Sequence, residues 1–331
     1  MSARALLSVI QPQQPQRPQQ VEPLAKLVQE TPLYRLWTGQ SLNAETHQVL
    51  AYLAGRGYRI PTGIGVTLVP LRHPFDAAVQ ARSLGRLTGK PIVVGYGPAT
   101  PGLVASLRGE PYATPARTSA EYARAVRDLL DGGPVAERTN EAFHLGEGIS
   151  LQPLTPEPRV EVGMGVLRPG MARKAGGAAD VAISWLTPAN YVRDTIIPKL
   201  AEGAEQAGRD RTPRVATMVH AAVARPARDP RKLAMLGAGS HLGLPHYTDM
   251  LRQAGVPAYP DRPQEGAAAI LDKGVYLYGS PEEIAKGLLE YEQAGVSEIV
   301  LNPAGVVNTE GVRAAVADVR DIVSAWEETR V

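Results

Sequence analysis

Residues 63–95 read GIGVTLVPLRHPFDAAVQARSLGRLTGKPIVVG. The stretch opens on a short apolar run at 63–69, passes through a longer amphipathic segment at 76–87, and closes on a second apolar run at 91–95. Short apolar runs bounded by Gly and Pro fit buried strands, and the segment between them has helical spacing. A strand, a helix and a strand in this order form a parallel crossover unit.

The same alternation continues in both directions. Strands are expected at 5–10, 33–37, 63–69, 91–95, 160–164, 181–184, 215–223 and 299–301. Helices are expected at 21–30, 45–54, 76–87, 119–130, 170–175, 191–207, 281–294 and 309–327. Leu24, Leu27 and Val28 share one face of the first helix, and Ser119 is placed as an N-cap. Eight such units in 331 residues predict an α/β chain folded as a (β/α)8 TIM barrel in preference to a doubly wound sheet. Two stretches stand outside the count. A Pro- and Gly-containing loop at 100–118 follows strand four, and a helical but irregular stretch at 229–273 lies between strands seven and eight. Both are read as excursions near the barrel mouth, and residues 1–331 as a single domain.

Composition narrows the chemistry. The chain has no cysteine, which removes disulfides, Cys–zinc sites, iron–sulfur ligation and thiol catalysis. A net charge of +2 argues against a broad nucleic-acid surface. No apolar run reaches about 18 residues, so no transmembrane helix is expected. The apolar run at 5–10 leads into QPQQPQRPQQ at 11–20 rather than a small-residue cleavage site, so a cytoplasmic location is expected. That Gln/Pro stretch reads as a polar βα loop or as a rim of the pocket.

Three glycine turns follow expected strands: Gly63-Ile64-Gly65, Gly95-Tyr96-Gly97 and Gly163-Met164-Gly165. None has the G-x-G-x-x-G spacing of a dinucleotide fold. The third runs on through Val166, Leu167 and Arg168 into a helix. Backbone N–H groups at a helix start, beside an arginine, suit a phosphate; an ordinary βα turn using Gly for geometry is the competing reading. No H-x-x-x-H pair exists among the six histidines, and no metal site is expected. His220, inside an apolar strand, reads as a hydrogen-bonded core histidine, and His73-Pro74 as the opening of the third helix. The expected strand ends carry Gln11, Gln40, Ser41, Tyr96 and Arg168, a set that binds and orients without a strong acid or base. Such sites rely on a cofactor.

Four segments in order resemble the bacterial luciferase-like family of flavin- and deazaflavin-dependent oxidoreductases: LYRLWTGQSLN at 33–43, GIGVTLVPLRHPFDAAVQA at 63–81, VGMGVLRPGMARKAGGAADVAIS at 162–184 and YGSPEEIAKGLLEYEQAGVSEIVL at 278–301. In the third, Val181 stands where the family's A-G-x-x-A-D-G signature has Gly. The resemblance implies a TIM barrel with the cofactor ring at its mouth. It implies a non-proline cis peptide bond at Gly65-Val66 behind the ring. The cofactor phosphate is then expected at Gly165, Val166, Leu167 and Arg168, and Gly95, Tyr96 and Gly97 against the ring or ribityl chain. Gly39 and Gln40 occupy the second-strand tip. Deazaflavin sugar dehydrogenases of the family carry Asp-His at that tip and Glu at the fourth. Here Gln40 and Pro98 stand in those places, which speaks against alcohol oxidation.

The third-strand pattern resembles the branch using coenzyme F-420, with FMN as the alternative cofactor. Arg72, Arg168 and Lys174 are expected to supply a basic rim for the anionic F-420 tail, or else to be solvated charges. The leading expectation is an F-420H2-dependent reductase acting on an electrophilic C=C or C=N bond. Its substrate would be a small molecule or a modified peptide, such as dehydroalanine in a ribosomal peptide of the lanthipeptide kind. The alternatives are an FMN-dependent monooxygenase and a non-catalytic ligand-binding barrel. Gln40 and Ser41 are expected to orient the substrate carbonyl, with Tyr96 and then His73 as proton donors. A helix-entry role for His73 and a stacking role for Tyr96 are the competing readings. A homodimer is expected from the resemblance alone.

Overall fold

The computed structural model describes residues 4–156 and 158–329. Its strands are β1 (Leu6–Ile10), β2 (Leu36–Thr38), β3 (Thr62–Leu68), β4 (Ile92–Gly97), β5 (Arg138–Thr139), β6 (His144–Leu145), β7 (Val160–Gly165), β8 (Val181–Trp185), β9 (Arg214–Val223), β10 (Tyr276–Gly279) and β11 (Glu298–Asn302). Eight of these form a closed parallel barrel in the order β1-β2-β3-β4-β7-β8-β9-β11, with β11 returning to pair with β1. The fold is the expected TIM barrel. Each expected strand overlaps one of the eight, and β2 is displaced most, from 33–37 to Leu36–Thr38.

The excursions differ in detail. The expected loop at 100–118 contains the helix Pro101–Arg108 and the start of the helix Pro115–Asp131. Ser119 therefore lies buried inside a helix and does not cap one. The irregular part falls later, where β5 and β6 form an antiparallel hairpin ahead of β7. The stretch 229–273 is three helices, Pro230–Leu242, Pro245–Gln253 and Pro263–Asp272. β10 was not expected as a strand. It pairs with the outer half of β9, from His220 onward, beyond the point where β8 ends opposite Met218. The closing helix is two, Ala304–Glu310 and Val312–Glu328, broken at Gly311 with φ +87°. Among the described residues no helix is long and apolar enough to cross a membrane.

Local chemistry explains the elements. Pro74, Pro101, Pro115, Pro169, Pro230, Pro245, Pro263 and Pro281 each open a helix, where a missing N–H costs nothing. Ser280 and Glu283 add a reciprocal capping box at the helix Pro281–Gln293. The helix expected at 191–207 passes through a π turn, Val192–Ile196, just before Pro198, whose nitrogen has no hydrogen to donate.

The barrel interior is layered. At the N-terminal pole Ser8, Arg35, Glu161, Arg214 and Glu298 form an ionic plug, with Arg35 and Glu298 fully buried. Above it lies an apolar layer that includes Ile10, Trp37, Val181, Ile183, Met218 and Val300. The C-terminal strand ends, where barrel loops gather, stay open.

Candidate active site

The C-terminal mouth encloses a cavity of about 310 Å³, within the usual size of small-molecule sites. Four strand ends, two excursion helices and the helix Thr46–Gly55, through Thr46 and Val49, build it. The β1 end supplies Gln11 through Pro15, so the Gln/Pro stretch does rim the pocket. The β2 end supplies Thr38, Gly39 and Gln40, and β3 supplies Gly65 and Val66. Opposite them stand Trp185 at the end of β8 and His241 and Tyr247 from the 230–253 helices. A second cleft, lined by Arg86, Lys90 and Arg159 among others, lies at the opposite pole, away from the strand ends that carry chemistry in such barrels.

The peptide bond Gly65-Val66 is cis, at the position implied by the resemblance. The β3–β4 register shifts at this point, between Ile64 and Thr67. The glycines around it make room for side chains. A Cβ at Gly63 would stand 2.5 Å from the Trp37 ring, and one at Gly97 would stand 2.8 Å from Val66 Cγ2. Gly95 is covered by Ile183 and Val66, so it supports the wall from behind and does not line the cavity. Gly165 lies beside Val66 with ordinary contacts.

Gln40 is held on three sides. Its N–H donates to Val66 O (3.1 Å), its Nε2 donates to Ser41 O (2.8 Å), and its Oε1 accepts from Thr67 Oγ1 (2.8 Å). Ser41 is spent on its own loop: its buried hydroxyl accepts from Asn43 and Ala44 N–H. Both expected proton donors need correction. Tyr96 points out of the barrel, because Gly95 and Gly97 take the inward positions of β4 and strand side chains alternate. Its buried ring packs on Tyr122, centroids 5.1 Å apart, and burial pushes its hydroxyl far above the ordinary phenol range. It neither stacks at the mouth nor donates a proton there. His73 caps the helix Pro74–Thr88: Nδ1 accepts from Phe75 N–H (3.2 Å) and Nε2 meets His144 O (2.7 Å). With both nitrogens engaged away from the cavity, it is no reserve acid.

The expected phosphate turn leads from β7 into the helix Pro169–Gly176, whose first turn leaves N–H groups unpaired by the helix itself. Val166 drops out as a donor: its N–H is bonded to Ile183 O (2.7 Å) and its side chain is buried. Leu167 and Arg168 remain on the turn. Arg168 forms an ion pair with Asp249 (3.0 Å). Arg72 is not a rim residue. Its side chain is 11% exposed, and its guanidinium is committed to Thr67 and Glu45. Lys174 is exposed on the last turn of the phosphate-turn helix.

Sequence reasoning missed the aromatic wall. Trp185 stacks on His241 (5.1 Å), Tyr247 meets His241 edge-on (4.9 Å), and His246 lies against Tyr247 (4.7 Å). Burial, and then the neighbouring His246, lower the His241 pKa to about 4. His220 lies behind Trp185, fully buried, and its Nε2 takes a bond from Asn302 Nδ2 (3.1 Å). Burial, then His241, lower its pKa to about 3. It is the neutral core histidine that its strand position suggested.

A flat, partly polar cofactor ring suits this cavity. Small residues at 39 and 65 leave space along one side, and aromatic rings close the other. Three buried polar atoms on lining residues have no partner among the described residues: Gln11 Oε1, Thr38 Oγ1 and Trp185 Nε1. Buried polar groups are rarely left unpaired, so these atoms call for a ligand with both donors and acceptors.

Comparisons with known proteins agree with this architecture. A 5,10-methylenetetrahydromethanopterin reductase of Methanolobus tindarius is 27% identical over 188 residues, 56% of this chain and 56% of that enzyme. The match thus spans little more than half of that relative. The coenzyme F-420-dependent tetrahydromethanopterin reductase of Methanopyrus kandleri superposes with a TM-score of 0.73 at 19% identity, over 98% of this chain and 100% of that one. The EDTA monooxygenase of Chelativorans sp. BNC1 superposes with a TM-score of 0.74 at 14% identity, over 99% and 94%. At such identities the two superpositions speak for the shared barrel alone. The sequence itself matches one family across residues 5–298, and with the barrel and its mouth in place the chain belongs to the luciferase-like monooxygenases.

Proposed function

We propose that this luciferase-like oxidoreductase is an F-420H2-dependent reductase of an electrophilic C=C or C=N bond, with dehydroalanine in a modified peptide as the leading substrate class. The observation that carries this reading is the absence of an available base at the mouth. The lining set among the described residues includes no carboxylate. Glu45 and Asp249, close in sequence to the lining residues Thr46 and Tyr247, are engaged: Glu45 with Arg72 and His47, Asp249 with Arg168. His241 is neutral above about pH 4, yet a base held that low takes a hydroxyl proton poorly. Oxidising an alcohol needs such a base, whereas reducing an activated double bond needs only a hydride and a solvent proton.

Gly39, Gly65 and Val66 would hold the reduced deazaflavin, which would supply the hydride and give up one proton to solvent. One carbon of the double bond takes it, the other takes a proton from water, and the π pair becomes the second new C–H bond. The substrate thereby gains two hydrogens, one as hydride and one as a proton. The residues bind and orient. Leu167, Arg168 and the first turn of the following helix face the tail phosphate. Trp185, His241 and Tyr247 form an uncharged aromatic wall along one side of the cavity. The 27% identical 5,10-methylenetetrahydromethanopterin reductase supports a reductive direction.

Fluorescence titration with F-420 and FMN tests the cofactor. Incubation with F-420H2 and a dehydroalanine peptide tests the reaction. The reading expects tight F-420 binding, recovery of deazaflavin absorbance and a product heavier by two hydrogens. Binding of FMN alone with oxygen uptake overturns it in favour of a monooxygenase. Binding of neither leaves a ligand-binding barrel.

A further inference from the structure

A hydrogen-bond relay runs from the cavity wall into the helix layer. Arg72 Nη1 donates to Thr67 Oγ1 (2.6 Å), and Thr67 Oγ1 donates to Gln40 Oε1 (2.8 Å). Arg72 Nη2 donates to Glu45 Oε1 (3.1 Å), which also meets His47 Nδ1 (2.9 Å), and Glu45 Oε2 accepts from Gln48 N–H (2.9 Å).

The chemistry of these groups gives the relay one direction. A guanidinium has donors and no acceptor, so the Thr67 oxygen must accept from Arg72. Thr67 has a single hydroxyl hydrogen, and that hydrogen is then free only for Gln40. An amide nitrogen cannot accept it, so the Gln40 oxygen must face Thr67. The two ends of a glutamine amide are otherwise hard to tell apart; here the neighbours decide. Nε2 therefore faces away, with one N–H on Ser41 O and no acceptor for the other among the described residues. Glu45 keeps the far end charged. Partial burial works against its carboxylate, but His47, the Gln48 N–H and Arg72 outweigh that and hold its pKa at about 2. Thr67 is buried, so water cannot replace it in the chain.

We propose that Arg72, Thr67 and Glu45 are positioning residues that fix the Gln40 amide so that it offers the cavity a single N–H donor, and that the substrate places a hydrogen-bond acceptor there. The acceptor is a carbonyl oxygen conjugated to the double bond, or the nitrogen of an imine. A substrate presenting only N–H or ammonium groups finds no partner at this point. The inference rests on the reductase reading and narrows it from electrophilic double bonds in general to those polarised through an acceptor. A donor at that oxygen also steadies the charge that gathers there as hydride adds to the far carbon.

The test uses full-length protein, F-420H2 and N-acetyldehydroalanine methylamide. Thr67→Val and Arg72→Met are expected to lower kcat/KM about ten-fold, the effect of one lost hydrogen bond of about 1.4 kcal/mol, with F-420 affinity unchanged. Thr67→Ser, which keeps the hydroxyl, is expected to restore the rate. In a Gln40→Ala background Thr67→Val is expected to add nothing, since the relay acts only through Gln40. An independent readout is proton exchange at the Gln40 side-chain amide in 15N-labelled protein, with the resonance assigned from its loss in Gln40→Ala. Exchange of the proton held by Ser41 is expected to quicken about ten-fold in Thr67→Val and not in Thr67→Ser. A Thr67→Val penalty that persists in Gln40→Ala, or an exchange rate unchanged by Thr67→Val, overturns the proposal. Wild-type protein that binds F-420 and reduces no alkene overturns the reaction reading alone, and the exchange measurement then decides the relay.

Discussion

The Trp185 indole lies on the His241 imidazole, centroids 5.1 Å apart and planes 29° apart, and both rings face the cavity. The pair joins the last residue of β8 to a residue more than fifty positions later, on the helix Pro230–Leu242. Its burial makes His241 an acid-sensitive element. The folded state accepts a proton only at about pH 4, whereas an unfolded histidine accepts one near 6.5. Between these values the unfolded chain binds more protons, so stability is full above pH 6.5 and falls as pH drops through 4. The loss amounts to about 3 kcal/mol. Urea unfolding from pH 7 to 4 measures it. His241→Phe, which keeps a ring on Trp185, is expected to flatten that slope, leaving the part due to His220. An unchanged slope would assign the acid sensitivity elsewhere.

The barrel was legible because its strands are short apolar runs punctuated by Gly and Pro. The cis bond position followed from the family likeness. β10 escaped because Tyr276–Gly279 has only four residues and pairs with the outer half of β9, a partner no local pattern reveals. The direction of Tyr96 was in fact readable. Glycines at 95 and 97 on the inner face put residue 96 outside. His73 carried a signal too, since His before Pro at a helix start reads as a cap. The wall of Trp185, His241 and Tyr247 carried none. It is assembled from a strand end and two excursion helices, and its residues share no period.

Two glycines separate local from global tolerance. A Cβ at Gly95 would meet side chains first, Ile183 Cδ1 at 2.3 Å and Val66 Cγ1 at 2.9 Å, with the Ile64 backbone oxygen at 3.0 Å. Gly95→Ala is therefore expected to fold, at a cost of about 1–2 kcal/mol, while pushing Val66 toward the cavity and weakening cofactor binding. A Cβ at Gly203 would lie 1.8 Å from the backbone oxygen of Arg173, where the helices Ile197–Gln206 and Pro169–Gly176 touch. Backbone cannot rotate away, so Gly203→Ala is expected to cost more than about 3 kcal/mol. Thermal unfolding and F-420 titration of both variants check the contrast. Equal stability losses would contradict it.

The floor beneath the cavity rests on one carboxylate. Glu298 Oε1 accepts from Ser8 Oγ (2.8 Å), Arg35 Nε (3.2 Å) and Trp37 Nε1 (2.7 Å), and Oε2 accepts from Arg214 Nη1 (2.8 Å). Glu298→Gln must turn an NH2 group toward one of these donors and leaves the fully buried Arg35 with only the more distant Glu161 carboxylate, 3.8 Å away. Removing one partner of a buried ion pair costs about 3–5 kcal/mol. Chemical denaturation is expected to show a loss in that range. A loss below about 1 kcal/mol would mean that the plug tolerates neutralisation.

Arg168 is held by Asp249 at 3.0 Å, with both side chains partly exposed. An exposed pair of this kind is weak, so an arriving phosphodiester can compete for the guanidinium. If the turn after β7 holds the cofactor tail, the two partners must act with opposite sign. Arg168→Ala removes a cation from the turn and is expected to weaken F-420 binding about ten-fold, whereas Asp249→Asn frees Arg168 and is expected to tighten it. Neither change touches the ring pocket directly, so affinity for the same deazaflavin lacking its phosphate tail should be unaltered. Titrations of both ligands at two salt concentrations make the comparison complete: the Arg168 effect should shrink with salt for F-420 and be absent for the tail-less compound. Equal losses for both ligands in Arg168→Ala would place the tail elsewhere.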